Sequence, residues 1–378
     1  REVETGGKRK CSWAIISPMF LGFQVATAEP AVEAEATYAK GDYNATVTHT
    51  IEAIKENGWK GDLHVLHIRA LMAQGKYGEA LAAAEDALKK VNRGIKVRLA
   101  AEEVFRYNGD NERADAMLLE INQLAGARIW AYRNAPDLVA LGRTALKLGG
   151  DPKLVLDNLY KAAREEDAEY VGIPLAIGEL ALDKHDYALA GRTFQLALKK
   201  HPKNADLHYG AARAFASSDL EVTLGHLGAA LEINPSHAPS RLLLANSLID
   251  QEAYAEAEEL LAMVIEVNPH HAEAWSYRSI IAHLSEKKKR EQETRAIALA
   301  HWKDNPMVDY LIGRKLSQRY RFEEGARHQR KALSFKPDFQ PARIQLAQDL
   351  LRLGQEEEGW KLAEAVREAD GYDVATFN

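Results

Sequence analysis

The stretch APSRLLLANSLIDQEAYAEAEELLAMVIEVNPHH, from Ala238 to His271, decides the fold. Its apolar residues fall into two runs with three- and four-residue spacing, the stripe of an amphipathic helix. The runs meet around Glu252–Tyr254, and the second stops at Pro269. Proline cannot continue a helix, and it biases the residue before it away from helical backbone. The stretch therefore reads as helix, turn, helix, stop. The same stop recurs in HPKNADLHY from His201, NPSHAPSRL from Asn234 and KPDFQPARI from Lys336. Pro202, Pro235 and Pro269 lie 33 and 34 residues apart, and Pro337 lies 68 beyond Pro269, two periods of 34. His270 and His271 occupy the two turn positions after the proline, where Lys203-Asn204 and Ser236-His237 stand in other units. A solvated turn is expected there rather than a metal site, since no third ligand lies nearby in the sequence.

The turn within each unit has its own signature. GDYNA from Gly41, GKYGEA from Gly75 and GDNERA from Gly109 place three glycines 34 residues apart. Glycine ends the first helix there because it takes left-handed backbone at little cost. An aromatic two residues on, Tyr43 or Tyr77, is placed to pack into the elbow. A small residue five after the glycine, Ala80 or Ala114, marks where two helices approach closely. HDYALA from His185, EAYAEA from Glu252, YRFEEG from Tyr320 and GQEEEG from Gly354 continue the pattern less regularly.

These residues resemble the tetratricopeptide repeat, a helix-turn-helix unit of about 34 residues. Leu244-Ala245, Tyr254, Ala257, Leu261, Val264 and Pro269 carry the likeness most clearly. The resemblance implies an all-α fold, a right-handed α-solenoid of about ten units. Its expected organisation is a signal peptide over 1–28, units one to three over 29–128, an inserted connection over 129–135, and units four to ten over 136–378. The insertion, IWAYRNAP from Ile129, shifts the register. One residue is lost near SSDLE, and a few are gained at SEKKKREQ. In such repeats, binding positions lie on the inner face of the first helix. The matching positions here are Arg69, Arg106, Tyr107, Tyr209, Arg213, Asn246, Tyr310, Arg314, Gln348 and Arg352. Arginine and tyrosine serve well as anchors, with large contact area and forked or amphipathic polar ends. An acidic or C-terminal peptide would suit such a groove.

The N-terminus reads as an export signal: KRK at Lys8–Lys10, an apolar run CSWAIISPMFLGFQV, and the small-x-small site ATA at Ala26–Ala28. The expected product is exported, periplasmic or extracellular, and from a bacterium; an uncleaved N-terminal anchor is the alternative. Cys11 is the only cysteine and lies in this segment, so the mature chain would have no disulfide, no cysteine-based zinc site and no thiol nucleophile. A net charge of -6 argues against a general nucleic-acid or anionic-membrane binder. The chain opens on Arg1 and stops in what reads as another helix, as a piece of a longer product would.

No Walker-type loop, GxSxG elbow or HExxH occurs. His64 and His67 are three apart on one helix, but both stand at inward-packing places. EKKKRE from Glu286 reads as a solvated loop, and NAT at Asn44 as a glycosylation sequon that matters only in a eukaryote. No cofactor is expected. The leading expectation is a non-catalytic scaffold that binds a peptide or protein partner in its concave groove. The alternative is the repeat-containing front of a larger exported hydrolase, metallopeptidase-like, with its catalytic domain beyond residue 378. Self-association through the array ends, near Val374 and Phe377, stays open.

Overall fold

A computed structural model describes residues 29–369. The segment read as an export signal, with Cys11, and the residues Val374 and Phe377 expected at an array end lie outside the described residues. The described chain is an all-α solenoid of ten successive helix pairs. The first three pairs are α1 (Pro30–Ala39) and α2 (Tyr43–Glu56), α3 (Gly61–Ala73) and α4 (Tyr77–Lys90), and α5 (Ile95–Tyr107) and α6 (Asn111–Arg128). A short 3-10 turn, Ile129–Ala131, leads to α7 (Ala135–Lys147). Its partner is a composite of α8 (Pro152–Leu154), a π-helical turn (Val155–Tyr160) and α9 (Lys161–Glu166). Then follow α10 (Gly172–Asp183) and α11 (Tyr187–Lys200), α12 (Ala205–Phe215) and α13 (Leu220–Ile233), and α14 (Ala238–Asp250) and α15 (Tyr254–Val267). The last three pairs are α16 (Ala272–Leu284) and α17 (Lys288–Ala298), α18 (Pro306–Ser317) and α19 (Phe322–Phe335), and α20 (Gln340–Arg352) and α21 (Glu356–Ala369).

Each elbow is closed by backbone geometry. Gly75 has φ +70, its N–H donates to the Met72 carbonyl, and the Lys76 N–H reaches back to the Leu71 carbonyl. That double return satisfies carbonyls the helix end leaves open. Asp42, Asp110 and Asp186 then start the second helix by accepting from the backbone N–H three residues on. At four later elbows the same left-handed position is filled by His185, Glu252, Glu286 and Tyr320. The turn is therefore imposed by packing of the two helices even where no glycine eases it.

The core runs along the array as a chain of local clusters. Ala80, Ala84, Ala87 and Ala114 are buried where helices of one pair close on the next. Tyr254 and Trp275 pack at the edge of the cluster around Leu261 and Val264. The Trp275 indole N–H also donates to the Pro269 carbonyl at 2.8 Å, pinning the helix start to the preceding stop. Phe194 on α11 is inserted between α10 and α12, against Gly178 and Gly210. Among the described residues, extensive helix packing runs only within a pair and between neighbouring pairs. That is the quasi-one-dimensional build of a solenoid.

The array coils far enough to meet itself. The elbow of the first pair touches the loop that ends the sixth, through Tyr43 and Asn234. The elbow of the second pair touches the loop that ends the seventh, through Tyr77 and Asn268.

Candidate binding groove

The first helices of the pairs face inward and line a groove. Its main part is a cavity of about 610 Å³ bounded by α3, α5, α7, α10 and α12. A second cavity of about 400 Å³ shares Arg69 and Glu103 with it and extends to the coil's self-contact.

The larger cavity is lined by equal numbers of cations and carboxylates, and most of these are already matched. Lys96 pairs with Asp62, Arg143 with Glu179 at 2.8 Å, and Lys147 with Glu102 at 2.7 Å. Among the carboxylates Glu103 has no ion pair with the described residues, and among the cations Arg69 and Arg213 are the exceptions. Both are exposed on the groove wall, and among the described residues neither has a carboxylate within ion-pair distance. The Arg213 guanidinium lies 5.8 Å from the Tyr209 ring centroid, which holds its stem without using its donors. The wall thus carries two guanidinium groups and one carboxylate, Glu103, without an ion pair among the described residues.

The ten positions expected from the sequence divide on this geometry. Arg69 and Tyr107 line the second cavity, and Arg69 and Arg213 the first. Tyr209 supports Arg213 from behind. Arg106 is spent within the fold: it binds Glu102 and Asp115, each at 2.9 Å, and the Asn111 side chain at 3.3 Å. Glu102 is 1% exposed, so a guanidinium is needed there for the fold itself. Asn246 is half-buried, and its carbonyl accepts from Lys315. Tyr310 is half-buried against Phe339. Arg314 is exposed, and its charge, with that of Arg213, acts on Glu273. Burial nonetheless raises the Glu273 carboxyl above its usual range, against the pull of Tyr277 and both arginines. Gln348 and Arg352 line a separate cavity of about 680 Å³ beside Phe322 and Trp360.

Several groove residues escape a helix-by-helix reading of the sequence. Tyr38, Asp206 and His237 line the second cavity. The Ser240 backbone N–H donates to His237 Nδ1 at 3.3 Å, which leaves Nε2–H to donate to Asp206 at 3.1 Å. Burial pushes the Asp206 carboxyl up, but the hydrogen bond from His237, with the charges of Arg69 and Arg143, holds it below its ordinary value. Tyr38 and Tyr107 are both raised by burial, so their hydroxyls stay protonated. The turn histidines divide: His270 is exposed, as a solvated turn requires, and His271 is half-buried. The His270 ring meets the His301 ring edge to face, with centroids 4.2 Å apart. Burial lowers the His271 pKa to about 4, so it is a neutral side chain lining the second cavity. The asparagine before each proline, in INP and VNP, was the available signal for this region.

His64 and His67 serve packing. His64 Nε2 bonds the Gly58 carbonyl and His67 Nδ1 the Thr50 hydroxyl, each at 2.8 Å. Among the described residues no group of three or more His, Cys, Asp or Glu side chains is placed to hold a metal ion. Among the same residues no helix is long and apolar enough to cross a membrane.

Residues 175–221 and 214–281 match two family models described as tetratricopeptide repeat. The chain thus carries such repeats over 175–281, the region that includes Phe194, Arg213 and Asn268. No curated protein sequence matches the chain. Two solved structures are similar in part. The yeast Tom70 structure covers 90% of this chain, and is itself covered over 84%, at 14% identity and a TM-score of 0.47. The Cut9-Hcn1 hetero-tetramer structure of APC/C covers 93% of this chain, and is covered over 96%, at 10% identity and a TM-score of 0.41. Likeness at this level says nothing of what this chain binds.

Proposed function

We propose that the protein is an interaction scaffold that holds an extended acidic segment of a partner polypeptide in its groove, without covalent chemistry. One observation carries this: Arg69 and Arg213 stand free in a groove whose other cations Lys96, Arg143 and Lys147 are matched. The tetratricopeptide repeats matched over 175–281 support a role in binding protein. The proposal extends to location: the N-terminal basic and apolar runs read as an export signal, which would put the partner outside the cytoplasm.

Each guanidinium–carboxylate contact at a partly exposed site contributes about 1–2 kcal/mol, roughly tenfold in affinity. Titration of a fluorescein-labelled oligoglutamate into the protein and into Arg69→Ala/Arg213→Ala tests the proposal. The double variant should bind about a hundredfold more weakly at unchanged helicity, with a shallower salt dependence. Equal affinity for the two proteins would remove the groove from consideration.

A further inference from the structure

The two turns of the coil meet through loops and single side chains. The Asn234 side-chain N–H lies 3.4 Å from the Tyr43 hydroxyl. The Asn268 side-chain N–H donates to the Tyr77 hydroxyl at 3.1 Å and to the Met72 carbonyl at 3.4 Å. In both, the partners are 191 residues apart, so the contact repeats with the period of the fold. Each asparagine is oriented by its own loop: Asn234 Oδ1 accepts from the Ser236 N–H at 2.9 Å, and Asn268 Oδ1 from the His270 N–H at 3.0 Å. The amide NH2 is thereby aimed at the opposite turn. Without helix-on-helix packing across it, this seam is held by few groups: the two asparagines and the ring contacts of Tyr77 with His301 and Tyr107 with Trp302. Yet it is a wall of the groove. Tyr43, Tyr77, Asn234 and Asn268 line the second cavity together with Arg69 and Glu103, which also line the first.

We infer that the seam is a latch on the groove: a polypeptide segment enters sideways between the two turns when the asparagine contacts release, and the closed seam then retains it. A closed coil otherwise admits a chain only by threading from an end. The proposal rests on the groove being the binding site.

The geometry supplies a covalent version of the latch. A Cβ on Gly75 would lie 2.8 Å from Asn268 Cγ. A disulfide places one Cβ about 3 Å from the far sulfur, given an S–S bond of about 2.05 Å. The full chain carrying Cys11→Ser, Gly75→Cys and Asn268→Cys should therefore oxidise to an intramolecular disulfide. Reduced, it lacks one latch contact; oxidised, it is locked. Solution scattering, which needs no ligand, should give a larger maximum dimension for the reduced than for the oxidised protein. Asn234→Ala/Asn268→Ala, which keeps both elbow glycines, should be expanded likewise, with helicity retained. Association of the fluorescein-labelled oligoglutamate should be at least about tenfold slower for the oxidised form, and dithiothreitol should restore it. Failure of the disulfide to form, scattering unchanged in both variants, or equal association rates in the two redox forms would each overturn the latch. If neither redox form binds the oligoglutamate while the scattering expands as stated, the acidic-segment reading fails and the closure of the groove by the seam stands.

Discussion

Phe194 gives the sharpest test of how the array is packed. Its ring, 1% exposed, sits on α11 between two glycines of adjacent first helices. A Cβ built on Gly178 would lie 2.2 Å from Phe194 Cζ, and one built on Gly210 would lie 2.4 Å from Cε1 and Cζ. Ordinary carbon–carbon contact is about 3.5–4.0 Å, so either methyl asks the ring to move by more than about 1 Å. A ring clamped from both sides has no free direction, and overpacking of this kind costs about 1–3 kcal/mol. Alanine for glycine inside a helix contributes about 0.8–1 kcal/mol in the opposite sense. The net expectation for Gly178→Ala is a loss of up to about 2 kcal/mol, since the overlap cost exceeds the propensity gain. In a Phe194→Leu background the clash is gone and only the propensity term survives, so Gly178→Ala should then stabilise. Urea unfolding followed by far-UV circular dichroism, with hydrogen exchange over α10–α12 to localise the effect, reads both signs. If Gly178→Ala stabilises the protein with Phe194 in place, the ring is not a wedge and the reasoning is wrong.

Two further outcomes follow from single sites. Gly75 and Gly354 have nearly the same backbone, φ +70 and φ +75, but a Cβ at Gly75 meets Asn268 at 2.1 Å while one at Gly354 meets nothing within 4 Å. Gly354→Ala should cost about 1 kcal/mol for the left-handed backbone alone, and Gly75→Ala clearly more; equal unfolding midpoints would mean the seam adds nothing to stability. Burial raises the Asp349 carboxyl from 3.8 to about 6, against hydrogen bonds from Ser317 and Gln345. The folded state then holds a proton that the unfolded chain releases, so stability should fall as pH rises from 3.8 to about 6. Asp349→Asn should lose that slope in unfolding measurements across the window, and an unchanged slope would count against a buried, protonated Asp349.

What the sequence made legible was what is local. Helix and elbow repeat within about 34 residues, so Gly41, Gly75, Pro235 and Pro269 mark units that the backbone does form. The inner-face arginines follow from the resemblance to the repeat, and Arg69, Arg213 and Arg314 are exposed on first helices. Arg106 matches the same place in the repeat but is not free, because Glu102 one turn back and Asp115 across the elbow take up its donors. Left-handed backbone at His185, Glu252, Glu286 and Tyr320 was hidden because packing rather than residue type sets it. The burial of His271 was hidden for a longer-range reason: it lines a cavity that α1, α3 and α5 close from the other turn. No window of one or two units contains both sides of that contact.

The separation of the seam's partners also bears on the order in which the protein folds. Contacts within and between neighbouring helix pairs close short loops and form early, whereas Asn234 with Tyr43 and Asn268 with Tyr77 close loops of 191 residues. Those two contacts become worthwhile only after the intervening pairs have stacked and fixed the pitch of the coil. Refolding should thus proceed in two kinetic stages, with helix signal recovered before the aromatic environment of Tyr43 and Tyr77. During synthesis, the first two elbows must wait exposed until the sixth and seventh pairs have emerged and docked beneath them.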